Sequence, residues 1–384
     1  MTPSMWLISR RADLTWFFFS VLPALSLLAL FRWLPPLTDD TYALSQPALW
    51  LLLFWGVFFD GTHVLGTYAR TYLAPASDHE SRRTLPHPSS FLLLLIGPIV
   101  ALIDGLLLPQ RPSLLGHAGW LFQHFLLAAY LWAYYHLVRQ HWGFVVLYQR
   151  RIPQPAGTRI DAWLLWVGCL VPYLRFALSD AGLRSGLPMP VAASLVPWLR
   201  DALDAASIAA LLAFAPHLAQ RVRRQGIGPR EAFLLLVLGF HALTFALLDH
   251  LLAITAVLTM FHNLQYHRIV WQYEQGKSRR PMGSLARYLM LGVGLGLVWY
   301  GPRIMGAALV PPSLWRNALL GFGWCVAFHH YLVDGRIWRL RRSPALARTL
   351  DRARAVPAAT GRAEGDVGAY LQPNATFLKR SSST

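Results

Sequence analysis

Apolar stretches about 20 residues long recur from one end of this chain to the other, with polar residues gathered between them. A helix of that length spans a bilayer core. Ten membrane helices are therefore expected, over roughly 15–34, 47–68, 90–108, 119–147, 160–178, 204–220, 232–250, 252–273, 284–302 and 317–340. No Gly or Pro separates the seventh from the eighth. A single helix over 232–273 would be about 63 Å long, twice a bilayer core, so a turn is expected near Asp249 and His250. The expected fold class is all-α: a polytopic integral membrane helix bundle over 1–343. A basic, disordered cytoplasmic tail should follow over 344–384, with 344–355 able to form a short surface helix.

Composition agrees with this layout. Charged residues make up 14% of the chain and hydrophobic ones 55%, whereas a soluble chain carries roughly a quarter charged residues. The net charge of +17 comes from Arg and Lys lying between apolar segments, not from one basic stripe. That pattern suits lipid headgroups of the bilayer and argues against nucleic acid as a partner. Arg10 and Arg11 precede the first apolar run, and no small-residue cleavage pattern follows, so this run reads as a retained helix. Cys169 and Cys325 both fall inside apolar segments and suggest neither a disulfide framework nor a CxxC site.

Charge also gives a direction. With both termini in the cytoplasm of an integral cell-membrane protein, only Arg32, Arg111, Arg175, Arg184, Arg200, Arg303 and Arg316 of the 35 Lys and Arg fall outside. The even-numbered helices then run inward.

Four histidine groups fall in the cytoplasmic halves of inward-running helices: His63, His136 with His141, His262 with His267, and His329 with His330. Ionisable side chains in a span are costly and normally face a cavity or a partner. A metal ion would satisfy several at one depth. The expected ligands are His63, His136, His141, His262, His267, His329, His330 and Asp334. Asp60 lies three residues before His63, and Asp334 four after His330, so each pair shares a helix face. Asp60, Gln140 and Asn263 are expected to support the ligands, the two amides each lying four residues from a histidine of their pair. The two H-x4-H pairs are awkward, since five residues turn a regular helix by about 500° and leave the rings roughly 140° apart. Both members reach one centre only across a π-bulge or a helix end. Otherwise one ligates and the other faces a neighbour.

His124, His136 and His141 recur as His250, His262 and His267 at a constant offset, which suggests a duplicated helix and a pseudo-symmetric site between the fourth and eighth helices. His117, His217 and His241 read as hydrogen-bonded packing residues, and His79 and His87 as solvated loop residues. Trp132, Tyr134, Tyr135, Trp142, Tyr148, Trp271 and Tyr273 fit an interfacial belt. Gly294 and Gly296 suit close helix packing.

The clusters His136–His141, His262–His267 and His329–His330 loosely resemble the histidine-box membrane desaturases and hydroxylases, in which histidine clusters at cytosolic helix ends bind two irons. The HxxHH boxes of that family are absent here. The resemblance implies a non-haem iron oxygenase, with di-iron as cofactor, acting with O₂ on a lipid or other apolar substrate. No nucleotide, flavin or iron–sulfur motif is present, so electrons would come from an external donor. Seven or eight histidines with one or two carboxylates suit two irons better than one zinc. Haem is a weaker reading: there is no CxxCH, and the 12-residue spacing turns the second histidine by about 120°. The non-enzymatic alternative is a proton- or metal-ion transporter. It would spread polar groups through the bilayer depth, whereas only His124, His241 and Asp104 lie away from the clustered side.

Overall fold

Helix starts are written locally in the chain. Ser9, Ser45 and Ser313 each sit in extended backbone, and their hydroxyls accept from the amides of Ala12, Ala48 and Arg316. These are N-caps, which satisfy amides that have no partner in the first turn.

The computed structural model of the chain describes residues 5–34, 37–38, 43–74, 78, 82–107, 111–113, 116–152, 158–185, 187, 191–277, 284–309, 313–339 and 343–355. Among these, α1 (Arg10–Trp33) and α2 (Gln46–Arg70) are followed by α3 (Leu93–Leu107), α4 (Trp120–Gln149), α5 (Thr158–Ala177) and the short α6 (Asp180–Arg184). Then come α7 (Val196–Gln225), α8 (Pro229–Leu247), α9 (Leu251–Gln275), α10 (Leu285–Leu309), α11 (Leu314–Ile337) and α12 (Pro344–Ala355). Two small antiparallel hairpins, Leu37–Thr38 with Ala43–Leu44 and Arg111–Ser113 with Gly116–Ala118, bridge α1 to α2 and α3 to α4.

The ten long helices coincide with the ten expected stretches, and the chain breaks between α8 and α9 at 248–250. Six of them (α1, α2, α3 together with the 3-10 turn Pro88–Leu92 that leads into it, α5, α7 and α8) are long and apolar enough to cross a membrane. Of the other four, α4, α9 and α11 carry the histidine pairs, whose polarity dilutes their apolar character.

Large apolar side chains cover the outside of the bundle. Leu106, Leu107, Trp163, Trp198, Met290, Val298 and Trp315 are all exposed, a surface suited to lipid and not to water. The expected aromatic belt is corrected here, because Tyr134, Tyr148 and Tyr273 are buried. Among the described residues the exposed tryptophans are others: Trp33, Trp50, Trp120, Trp198 and Trp315 at the ends of α1, α2, α4, α7 and α11 that the connections bring together, and Trp16 and Trp163 toward the opposite ends. Tryptophan favours such interfacial positions.

Two helix crossings bring backbone against backbone. A Cβ at Gly97 would lie 2.2 Å from the Gly321 carbonyl oxygen, so α3 and α11 touch through glycine. A Cβ at Gly61 would lie 2.5 Å from the Gly296 Cα, and one at Gly296 would lie 2.1 Å from the Val57 oxygen, which joins α2 to α10. Without a hydrophobic drive between helices in lipid, such small-residue contacts are a main source of packing. Gly294, also expected at a contact, has nothing within 4 Å of its would-be Cβ.

A buried ionic group ties α5, α7 and α8 together. Arg221 reaches both carboxylate oxygens of Asp161 at 2.8 and 2.9 Å, and Arg230 holds Glu231 at 2.5 Å. Helix α12 packs Leu346 and Leu350 inward, sets its Thr349 backbone against Gly276, and pairs Asp351 with Arg151 at 2.7 Å. Residues 344–355 thus belong to the packed structure, and 356–384 lie outside the described residues, as do His79 and the side chain of His117.

Candidate metal centre

The regular turn of α2 is interrupted by a π-helical turn, Gly56–Asp60. Glycines flank it: a Cβ at Gly56 would lie 2.4 Å from Tyr300, and Gly61 meets Gly296. π-Turns inside α-helices recur at functional sites. This one lies just before His63, whose Nδ1 is 2.5 Å from the Asp60 carbonyl oxygen. A carbonyl only accepts, so Nδ1 carries the hydrogen and Nε2 presents a lone pair.

His63 Nε2 points at His330 Nε2, 2.9 Å away. The other nitrogen of His330, Nδ1, lies 2.7 Å from Thr67 Oγ1. The single Thr67 hydroxyl hydrogen goes to Asp334 Oδ1 at 2.6 Å, so His330 Nδ1 must donate to Thr67. The Tyr266 hydroxyl also donates to Asp334 Oδ1, at 2.7 Å. Two hydroxyls therefore hold one carboxylate oxygen. The other, Oδ2, faces His136 Nε2 at 3.8 Å and His330 Nε2 at 3.9 Å.

His136, His330 and Asp334 can each offer one ligand atom with all three atoms within 4.8 Å of one another. His136 Nε2 is buried and has no hydrogen-bond partner, which costs roughly 1–3 kcal/mol in an apolar interior. His262 stands beside this group. Its ring centre stands 5.7 Å from that of His63 and 5.4 Å from that of His136, and its Nδ1 is unpartnered. With a nitrogen–metal bond of about 2.1 Å and the ring centre about 1.1 Å behind the nitrogen, two imidazoles on one ion have centres roughly 4.5–6.4 Å apart. The His63–His330 and His136–His330 separations, 4.6 and 5.2 Å, also lie in that window.

The structure thus brings together His63, His136, His262, His330 and Asp334 and sets the remaining expected ligands apart. His267 spends both nitrogens on hydroxyls, Thr62 at 2.9 Å and Tyr288 at 2.8 Å. His329 turns away from His330 to stack on Phe91, with Nε2 near Tyr72 and Ser90 at 3.2 and 3.3 Å. His141 faces His241, their ring centres 5.4 Å apart. With α4 and α9 regular throughout, each H-x4-H pair diverges as helix geometry requires. The corresponding histidines of the H-x11-H-x4-H repeat, His136 and His262, meet across the two helices.

The support residues also differ in detail. The Asp60 carboxylate stands 3.8 Å from His63 Nδ1, beyond hydrogen-bond distance, and accepts from Asn263 Nδ2 at 3.2 Å and from the Tyr300 hydroxyl. Its backbone carbonyl orients His63 instead. Gln140 donates to the His262 carbonyl at 2.9 Å and so ties α4 to α9. Sequence reasoning missed Thr67 and Tyr266, whereas His241, expected as a hydrogen-bonded packing residue, is buried and bonded to the Tyr134 hydroxyl at 2.7 Å. Thr67 and Tyr266 lie four residues after His63 and His262, on the same helix faces, so a search of those positions would have found them.

No protein-family model, no curated protein and no solved structure matches this chain, so its function must be read from these side chains.

Proposed function

We propose that the chain is a membrane-embedded metalloenzyme: a non-haem iron oxygenase acting on a lipid or other apolar substrate, with its ten long helices crossing the bilayer and both termini cytoplasmic. The observation that carries this reading is the set His136, His330 and Asp334, with one carboxylate oxygen held by Thr67 and Tyr266 and the other turned toward the two histidines. Two histidines and one carboxylate with open positions are the ligand set of non-haem iron oxygenases. The facing lone pairs of His63 and His330 supply a second argument. At a ligand distance of about 2.1 Å, nitrogens 2.9 Å apart subtend roughly 90° at one ion, an octahedral angle and not a tetrahedral one. This favours iron over zinc. Haem fits less well, since the crowded rings leave no slot for a porphyrin between facing imidazoles.

Iron at this site would supply O₂ activation. In a hydroxylation, one oxygen atom enters a substrate C–H bond, while two electrons from an external donor and two protons reduce the other to water. The protein's own part is to present the ligands. Asp60 and Thr67 set the histidine tautomers, Thr67 and Tyr266 aim the carboxylate, and the apolar bundle keeps bulk water out.

The test is elemental analysis of the purified protein, with oxygen uptake in the presence of a reductant and membrane lipid. Bound iron, and oxygen uptake lost in His136→Ala and Asp334→Asn, are expected. Full lipid-modifying activity in metal-free protein would overturn the mechanism. Ion or proton flux in vesicles without oxygen uptake would make the protein a transporter.

A further inference from the structure

Beyond the cluster just described, a row of polar side chains runs inside the bundle from that cluster to the C-terminal end of α9. His262, Gln265, Arg268 and Gln272 follow one another there at spacings of three, three and four residues, which keeps them within an arc of about 120° along roughly 15 Å of helix. His141 joins from α4 and His241 from α8. The His141 ring centre stands 6.4 Å from that of His262 and 5.4 Å from that of His241, and the Gln265 side chain lies beside it. All these residues are buried except Arg268, which is partly exposed and marks where the row meets solvent.

Gln265, Arg268, Gln272 and His241 are each pinned at one polar end and unpaired at another. The Gln265 amide nitrogen donates to the Phe17 carbonyl at 3.1 Å, while its Oε1 has no partner. Arg268 Nη2 donates to Gln272 Oε1 at 2.9 Å, leaving Arg268 Nη1 and Gln272 Nε2 without one. The Tyr134 hydroxyl gives its one hydrogen to the Cys169 carbonyl at 2.6 Å, so His241 Nδ1 donates to it at 2.7 Å and Nε2 is an unpaired lone pair. Both nitrogens of His141 are unpaired. Burying so many polar atoms in one row is costly unless something binds them. Whatever binds must serve both kinds of group. Gln265 Oε1 and His241 Nε2 only accept, Gln272 Nε2 and Arg268 Nη1 only donate, and a neutral His141 does one of each. A cation would leave the donors bare, and an anion the acceptors. Water serves both, and a buried water needs roughly two to four such partners.

We infer that a file of water molecules runs along this row between α1, α4, α8 and α9, linking solvent at Arg268 to the metal centre at His262. A proton crosses such a file by hopping from one water to the next. The hydroxylation read above consumes two protons and forms one water for each O₂, so this is the route by which protons enter from solvent and the product water leaves. That use rests on the iron reading, whereas the water file does not. At its mouth, beside Arg268, the Asp13 carboxylate is fixed by the amides of Leu7 and Ile8 at 2.6 and 3.0 Å and by the Tyr148 hydroxyl at 3.1 Å.

The experiment exposes full-length, metal-stripped protein in detergent to brief synchrotron X-ray pulses. These turn bound water into hydroxyl radicals that oxidise the side chains beside it, and mass spectrometry of the peptides reads each position. His141 should be oxidised several-fold faster than Phe122, an equally buried ring set among apolar groups. Gln265→Leu and Gln265→Met, each checked for monodisperse elution, should bring His141 down to the level of Phe122. Should neither variant elute as one species, the wild-type comparison decides alone. Oxidation of His141 no faster than that of Phe122 in wild type overturns the water file, whatever the protein's activity. Equal oxidation of His141 in wild type and both variants removes Gln265 from it. With full metal content, Gln265→Leu should also slow oxygen uptake and enlarge its dependence on D₂O. Uptake and isotope effect unchanged in a variant that has lost His141 oxidation overturn the proton role. His141 oxidised in a protein that takes up no oxygen supports the water file and removes the iron reading.

Discussion

His63 Nε2 and His330 Nε2 face each other 2.9 Å apart, and the partners behind them, Asp60 and Thr67, make both of these nitrogens lone pairs. Two acceptors at that distance repel unless a cation sits against both. The contact joins α2 to α11 across 267 residues of sequence. The π-turn before His63 and the Thr67 hydroxyl, which also holds Asp334, set the two rings in this arrangement.

Thr67 should therefore matter to metal binding although it is not placed as a ligand. Thr67→Val removes the acceptor for His330 Nδ1 and one of the two donors to Asp334 while keeping the side-chain shape. Metal affinity, measured by competition with a chromophoric chelator, should fall about 10–100-fold. Unchanged affinity would show that the tautomer assignment is wrong.

His267 and His329 offer the opposite expectation. Both nitrogens of His267 are engaged by Thr62 and Tyr288, and His329 directs Nε2 to Tyr72 and Ser90, away from His330. His267→Gln and His329→Gln should keep the full metal content by elemental analysis, whereas His136→Gln should not. A variant at position 267 or 329 that loses metal would return that histidine to the ligand set.

Helix contact through glycine can be tested by contrast. Gly97→Ala places a Cβ against the Gly321 backbone, and overpacking of this kind costs about 1–3 kcal/mol. Gly294→Ala meets nothing and should leave stability unchanged or slightly raised, since alanine favours helix. Thermal unfolding in detergent should give a lower Tm for the first variant only. Equal Tm values would refute the close crossing of α3 and α11.

The proposed orientation, with both termini cytoplasmic, can be tested by labelling. Cys169 and Cys325 are buried, so introduced cysteines can be labelled against a low background. With an impermeant reagent, Arg83→Cys and Arg348→Cys should react from the cytoplasmic side, and Ser194→Cys, near Trp198, from the other. All three positions are exposed. Labelling of positions 83 and 348 from opposite sides would break the ten-span arrangement and with it the common depth of the histidines.

The helices were legible in the chain because their determinants are local. Apolar run length needs no partner to be read, and even the break at 248–250 follows from bilayer thickness. The common depth of His63, His136, His262 and His330 was legible for the same reason, since depth is counted along each helix from its end. Which nitrogen meets which group was not. The outward turn of His267 toward Tyr288, the turn of His329 onto Phe91 and the meeting of His141 with His241 depend on how each helix is rotated about its axis. Rotation is set by contacts between distant segments, here Gly97 with Gly321 for α11 and Gln140 with the His262 carbonyl for α4 and α9. The sequence alone determined which residues lie at one level of the bundle. The tertiary structure decided which of them share a centre, because a ligand set is a relation among side chains on different helices and no spacing along a single helix encodes it.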